Sequence, residues 1–141
     1  MNKTEVYQLF VYGSLRSGFR SPAYEYISRY FDLIGDAKVK GLLYDLGTYP
    51  AAKPANENKF IIGELYRIKH EKEFSWAMGQ LDDYEGVTVA YDEMQLYRRE
   101  IAEVHHNNST THAWMYWYNG DVREKPVIES GDVLEYMDQK K

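Results

Sequence analysis

Five runs of β-forming residues, with room for only two helices between them, restrict this chain more than any other feature of its sequence. The first run is Val6 to Tyr12, where only Gln8 interrupts the β-formers, the pattern of a strand covered on both faces. It stops at Gly13. Ser21-Pro22 then supplies an N-cap followed by proline at the first helical position, which predicts a helix over about Pro22 to Tyr30. Ala37 to Tyr44 is β-rich and ends at the turn residues Asp45-Leu46-Gly47 and Tyr49-Pro50. After the polar connection Pro54 to Asn58, an apolar strand resumes over Phe60 to Ile68. Phe74, Ala77, Met78 and Leu81 recur at helical spacing, so Glu71 to Leu81 is predicted as a second helix with those residues inward. Met94 to Val104 and Thr111 to Tyr118 flank the polar run His105 to Ser109 as a long antiparallel hairpin. The resulting order is an α+β fold, a mixed or antiparallel sheet with two helices, because a doubly wound fold needs more crossover helices.

At 141 residues, with no internal repeat and no linker-like break in composition, residues 1–141 read as a single domain. The absence of cysteine removes disulfides, thiolate metal sites and cysteine nucleophiles. A net charge of -5 and a pI near 5.4 argue against a nucleic-acid surface, which wants a basic face. No window approaches the ~20 apolar residues of a membrane span, and residues 1–5 lack the apolar segment of a signal peptide. The expected setting is therefore the cytoplasm, and the expected partner a small molecule rather than a membrane or a nucleic acid; oligomeric state stays open. No GxxxxGK[ST] or GxGxxG is present for a nucleotide, and His105, His106 and His112 surround a turn without the further ligands that a metal needs. Neither a metal nor an organic cofactor is expected.

Three constellations carry possible chemistry. In Val11-Tyr12-Gly13-Ser14-Leu15-Arg16 a strand enters a glycine-opened turn, whose successive N–H groups can line a concavity for a carboxylate. An ordinary strand-ending turn has the same sequence. In Leu81-Asp82-Asp83-Tyr84-Glu85-Gly86, three acids within four residues oppose the helix dipole at a helix end. Such a cluster is either solvated or functional, and a carboxylate turned into an apolar cavity becomes a base usable near neutrality. In Tyr97-Arg98-Arg99-Glu100, an arginine can orient a carboxylate or simply belong to a solvated sheet face.

Taken in order, these pieces resemble the gamma-glutamylcyclotransferase-like superfamily, in particular its short branch of gamma-glutamylamine cyclotransferases and bacterial relatives. The matching stretches are Phe10-Val11-Tyr12-Gly13-Ser14-Leu15, Val39-Lys40-Gly41-Leu42-Leu43-Tyr44, Tyr49-Pro50-Ala51 and Gly63-Glu64-Leu65-Tyr66. The L-D-x-x-E-G element at Leu81 to Gly86, Tyr97-Arg98-Arg99, and the closing aromatic strand Trp114-Met115-Tyr116 complete the set. The resemblance implies a compact, barrel-like sheet flanked by helices. It further implies that Glu85 is the catalytic acid/base and that backbone groups of Tyr12, Gly13, Ser14 and Leu15 hold the gamma-glutamyl moiety. The implied reaction closes that moiety on itself, releasing 5-oxoproline and an amine or amino acid without a cofactor. One departure is Val133, where relatives often have tryptophan after the late S-G-D; it bears on C-terminal packing.

Two other readings stand beside this one. A non-catalytic, small-ligand-binding member of the same fold would share the motifs, since a fold and a cavity do not guarantee turnover. A serine hydrolase using Ser14 would need the flanking glycines of a nucleophile elbow and a partner histidine motif, and neither is present.

Overall fold

Strand β1 (Gln8–Val11) sends Phe10 to one side of the sheet and Leu9 and Val11 to the other, and all three are buried. An apolar strand of this kind needs cover on both faces. The computed structural model describes residues 6–13, 22–46, 50–55, 58–85, 97–133 and 135–136, with side chains throughout except at positions 22–24, 84 and 85. After β1 come α1 (Pro22–Tyr30), β2 (Phe31–Lys40), β3 (Leu42–Asp45), β4 (Pro50–Lys53) and β5 (Phe60–Ile68). A short 3-10 turn at Glu71–Glu73 leads into α2 (Phe74–Glu85), followed by β6 (Tyr97–His106) and β7 (Ser109–Tyr118).

Five strands close into a barrel in the order β1-β5-β2-β6-β7, while β3 and β4 form a separate two-stranded sheet. All the barrel pairings are antiparallel except the closing one, where β1 lies parallel to β7 at Leu9 and Trp114. The α+β expectation of a mixed, barrel-like sheet flanked by helices is met. All five strands contribute to the interior cluster, with Phe10, Val39, Ile61, Leu65, Val104 and Met115 among its members and, among the described residues, none from either helix. Leu43 and Ala52 of the small sheet, together with Ile128 and Val133, join that cluster, so Val133 is a packing residue. At Gly63 an added Cβ would stand 2.1 Å from the Val11 carbonyl oxygen, so only glycine permits this approach of β5 to β1.

The outer face of the barrel is covered by the helices. Leu9, Val11 and Tyr66 pack with Ile27 of α1 and with Ala77, Met78 and Leu81 of α2, and Phe74 joins them partly buried. The stripe read from helical spacing is therefore the inward one. The rings of Phe74 and Tyr7 meet edge to face at 5.3 Å, which sets the start of α2 against the start of β1.

The structure differs from the expectations at particular places. The run Ala37 to Tyr44 is divided: β2 stays in the barrel and β3 leaves it, with the break at Gly41. A side chain there would meet Ile61 and the Lys53 carbonyl oxygen, each at 2.8 Å, so the chain turns through a spot with no room for a Cβ. Strand β2 also begins earlier, directly after α1, because its ladder with β5 runs from Phe31 through a register shift between Leu33 and Gly35. Local sequence concealed this: Asp32, Gly35 and Asp36 disfavour a strand, and the pairing with β5 overrides them. Strand β4 opens on Pro50, a position where a missing N–H costs nothing. The long hairpin expected between β6 and β7 is present, and its ladder takes in His105, His106 and Ser109 of the polar run, leaving a two-residue turn, Asn107-Asn108, both at positive φ. The N-cap Ser21, Tyr49 and the expected strand opening at Met94 to Leu96 lie outside the described residues.

Candidate functional site

Chain order separates the motif pieces, and the barrel gathers them. Gly13, two residues past the end of β1, lies beside Pro50, so that a Cβ at position 13 would stand 3.3 Å from the proline Cγ. The Tyr97 hydroxyl donates to the Pro50 carbonyl oxygen at 2.7 Å. The opening motif, the Y-P-A piece and the Y-x-R piece are thus in one place. The Tyr12 side chain turns into the interior, where its hydroxyl donates to the Tyr116 carbonyl oxygen at 2.6 Å.

A second set surrounds Asp82. Arg99 grips its carboxylate with two parallel hydrogen bonds, Nε to Oδ1 at 2.7 Å and Nη2 to Oδ2 at 2.9 Å, and the Tyr116 hydroxyl donates to Oδ1 at 2.8 Å. The guanidinium also stacks over the Trp114 ring at 4.6 Å. Burial opposes the charge on Arg99, but the hydrogen bonds and charge of Asp82 outweigh it and hold the group charged above its ordinary range. Asp82 is only 9% exposed, so the acidic cluster divides: Asp82 is buried and paired, while Asp83 faces solvent. The two arginines divide too. Strand alternation sends Arg99 to the helix-covered face and Arg98 to the other, where it bonds Glu100 and Asn119 at the surface.

Of the residues expected to form the site, Tyr12 and Gly13 lie at the end of β1 next to Pro50. Glu85 is the last residue of α2, three positions beyond Asp82, and its side chain lies outside the described residues. Ser14, Leu15 and Gly86 lie outside them as well. Reading the sequence alone missed the hydroxyls of Tyr97 and Tyr116, although period-two alternation places Tyr116 on the same face as Trp114. It also passed over Glu64, a buried carboxylate in an apolar strand that accepts a hydrogen bond from Tyr66 at 2.9 Å and is paired in the ladder with Val11. A charge inside an otherwise apolar run was the available signal. Two surface depressions, of about 520 and 630 Å³, lie around His105 and the β6–β7 hairpin; neither is lined by Tyr12, Gly13, Asp82 or Arg99. His106 in that region donates through Nδ1 to the Asp36 carbonyl oxygen at 2.8 Å, a structural role.

A closed mixed barrel of five strands with two helices packed on its outer face defines a small α+β barrel. The chain belongs to the gamma-glutamyl cyclotransferase, AIG2-like family, whose model matches residues 9–135. It is 31% identical over 129 residues to the gamma-glutamylcyclotransferase family protein YtfP of Escherichia coli K12, covering 91% of this chain and 96% of that one. The solution structure of ytfP from Escherichia coli superposes with a TM-score of 0.62 at 30% identity, over 95% of this chain and 99% of the other. YkqA from Bacillus subtilis matches in fold with a TM-score of 0.69 at 24% identity; 95% of this chain spans only 42% of that protein. An AIG2-like protein from Mus musculus shares the fold with a TM-score of 0.63 at 20% identity, over 90% of this chain and 88% of that one. Among the described residues no helix is long and apolar enough to cross a membrane.

Proposed function

We propose that this protein, acting as one domain on a small gamma-glutamyl compound, releases 5-oxoproline and an amine or amino acid, with Glu85 as general acid/base. The α-amine nitrogen of the substrate attacks its own γ-carbonyl carbon, and the new C–N bond closes a five-membered ring. The bond from that carbon to the departing nitrogen then breaks. Glu85 takes the proton from the attacking nitrogen and returns it to the leaving one, so a single carboxylate serves both steps. Backbone N–H groups of the turn from Tyr12 to Leu15 hold the glutamyl part, and because the attack is intramolecular, positioning supplies much of the acceleration.

The observation that carries this reading is the buried network at Asp82. It ties the helix bearing Glu85 to Tyr116, the same residue whose carbonyl oxygen receives the Tyr12 hydroxyl. The residue that opens the proposed turn and the helix that ends in Glu85 thus share Tyr116 of β7 as a partner, which supports reading them as parts of one site. The test is release of 5-oxoproline from a panel of gamma-glutamyl amino acids and gamma-glutamyl amines. Glu85→Gln keeps the shape and removes the base, so turnover is expected to fall by a factor on the order of 10² or more. Asp83→Asn, at the exposed acid, is expected to leave it unchanged. Near-normal product formation by a folded Glu85→Gln protein would sink the mechanism. Thermal stabilisation by a gamma-glutamyl compound that is recovered intact would instead establish a binding protein.

A further inference from the structure

Helix α2 ends in a stretch that ought to be a poor helix terminus. Asp82, Asp83 and Glu85 all lie at the negative end of the helix dipole, with no basic residue in the last turn to offset them. The helix nonetheless continues through them, and the cation that compensates comes from another element: Arg99 of β6, clamped on Asp82 through Nε and Nη2 of one guanidinium edge. Tyr116 of β7 adds a third hydrogen bond to the same carboxylate. Bidentate pairing fixes direction as well as distance, since the planar fork and the planar carboxylate must align. A buried ion pair is weak evidence of stability, because apolar packing of the same volume often does as well. What the pair contributes is geometry.

We propose that Asp82, Arg99 and Tyr116 are positioning residues that lock the rotation and axial placement of the last turn of α2, and so fix the point from which Glu85 acts. The inference rests on the reading of Glu85 as the acid/base. Residues three apart on a helix are neighbours on one face, about 4.5 Å apart along the axis, so a clamp at position 82 constrains position 85 directly. The start of α2 is held separately, by the Phe74 contact with Tyr7. Loosening the clamp therefore frees the end of the helix without undocking its beginning.

The experiment uses Tyr116→Phe, which deletes one hydroxyl and keeps the carbonyl that Tyr12 needs, and Arg99→Lys, which keeps the charge and loses the fork. With a gamma-glutamyl substrate that the wild type turns over, kcat is expected to fall on the order of tenfold in each, with KM within about twofold. In a Glu85→Gln background neither change should lower the residual rate further, because their effect passes through Glu85. A lower Tm with kcat unchanged would make the network merely structural, and a raised KM with kcat retained would make it a substrate contact; either overturns the proposal. A second measurement does not depend on turnover. Hydrogen exchange by NMR should quicken at the amides of residues 82–85 in Arg99→Lys and stay unchanged at residues 77–78. Unaltered exchange in the last turn overturns the positioning role whatever the activity. Absence of 5-oxoproline from the wild type, with faster exchange in the variant, would discard the reaction and leave the clamp standing.

Discussion

Gly13 illustrates how a single missing side chain serves two neighbours. Its position against Pro50 leaves 3.3 Å for a Cβ, tight enough that alanine requires the proline ring to give by a few tenths of an ångström. A valine adds two branches to that spot, pressing on the Pro50 side and, in the proposed site, blocking close approach of a ligand to the backbone. Gly13→Val is therefore expected to abolish binding of gamma-glutamyl compounds, while Ser14→Ala, which spares the backbone, should be mild. Calorimetric titration with a substrate on the Glu85→Gln protein measures both without turnover. If Gly13→Val bound as tightly as its parent, the loop assignment would have to be given up.

Among the elements, α1 and α2 meet through aromatic rings tilted against one another. Tyr26 lies 4.9 Å from Tyr30 and 6.4 Å from Trp76, and its hydroxyl donates to the Ala77 carbonyl oxygen at 3.2 Å. Burial, and then repulsion from Tyr30, push its pKa from 10.0 up to about 12 against the opposing pull of Arg29. The folded protein thus prefers the neutral phenol. The contribution of Tyr26 to stability is complete below pH 10, the unfolded value, and is lost as pH rises from there toward about 12. Urea melts at pH 9, 10 and 11 should show wild type losing more stability over this interval than Tyr26→Phe, which has no proton to lose. Parallel losses in the two proteins would mean that Tyr26 is not held neutral by the helix interface.

For the whole molecule, the interior is completed by the segment after β7, which returns to pack on the barrel. Gly131 sits at φ +72°, its N–H donates to the Ile128 carbonyl oxygen at 2.9 Å, and its own carbonyl oxygen accepts from Ile62 of β5 at 2.7 Å. A Cβ at this position would lie 1.9 Å from the Phe60 carbonyl oxygen. Gly131→Ala must therefore strain a left-handed backbone and push the return segment off β5, taking Ile128 and Val133 from the interior. A penalty of roughly 1–3 kcal/mol is expected from the backbone alone, seen as a Tm lower by several degrees. A melt within one degree of wild type would show that the segment docks independently of this turn.

Much of this architecture was written locally. Helix α1 is observed over Pro22–Tyr30 and β5 over Phe60–Ile68, as expected, because a proline at a helix start and an unbroken apolar run are short-range signals. The ordered motifs likewise carry the family's signature. What local sequence does not carry is register. Whether Arg98 or Arg99 meets Asp82 depends on which face each presents, and a shift of one residue in β6 would exchange them. The partners of Asp82 lie 17 and 34 residues away in the chain, and only closure of the barrel brings them to it. The same holds for the parting of β2 from β3 at Gly41 and for the parallel pairing of β1 with β7. Propensity and periodicity act over a few residues and therefore determined the elements; pairing and burial act across the whole chain, and they decided which of its charges would be buried together.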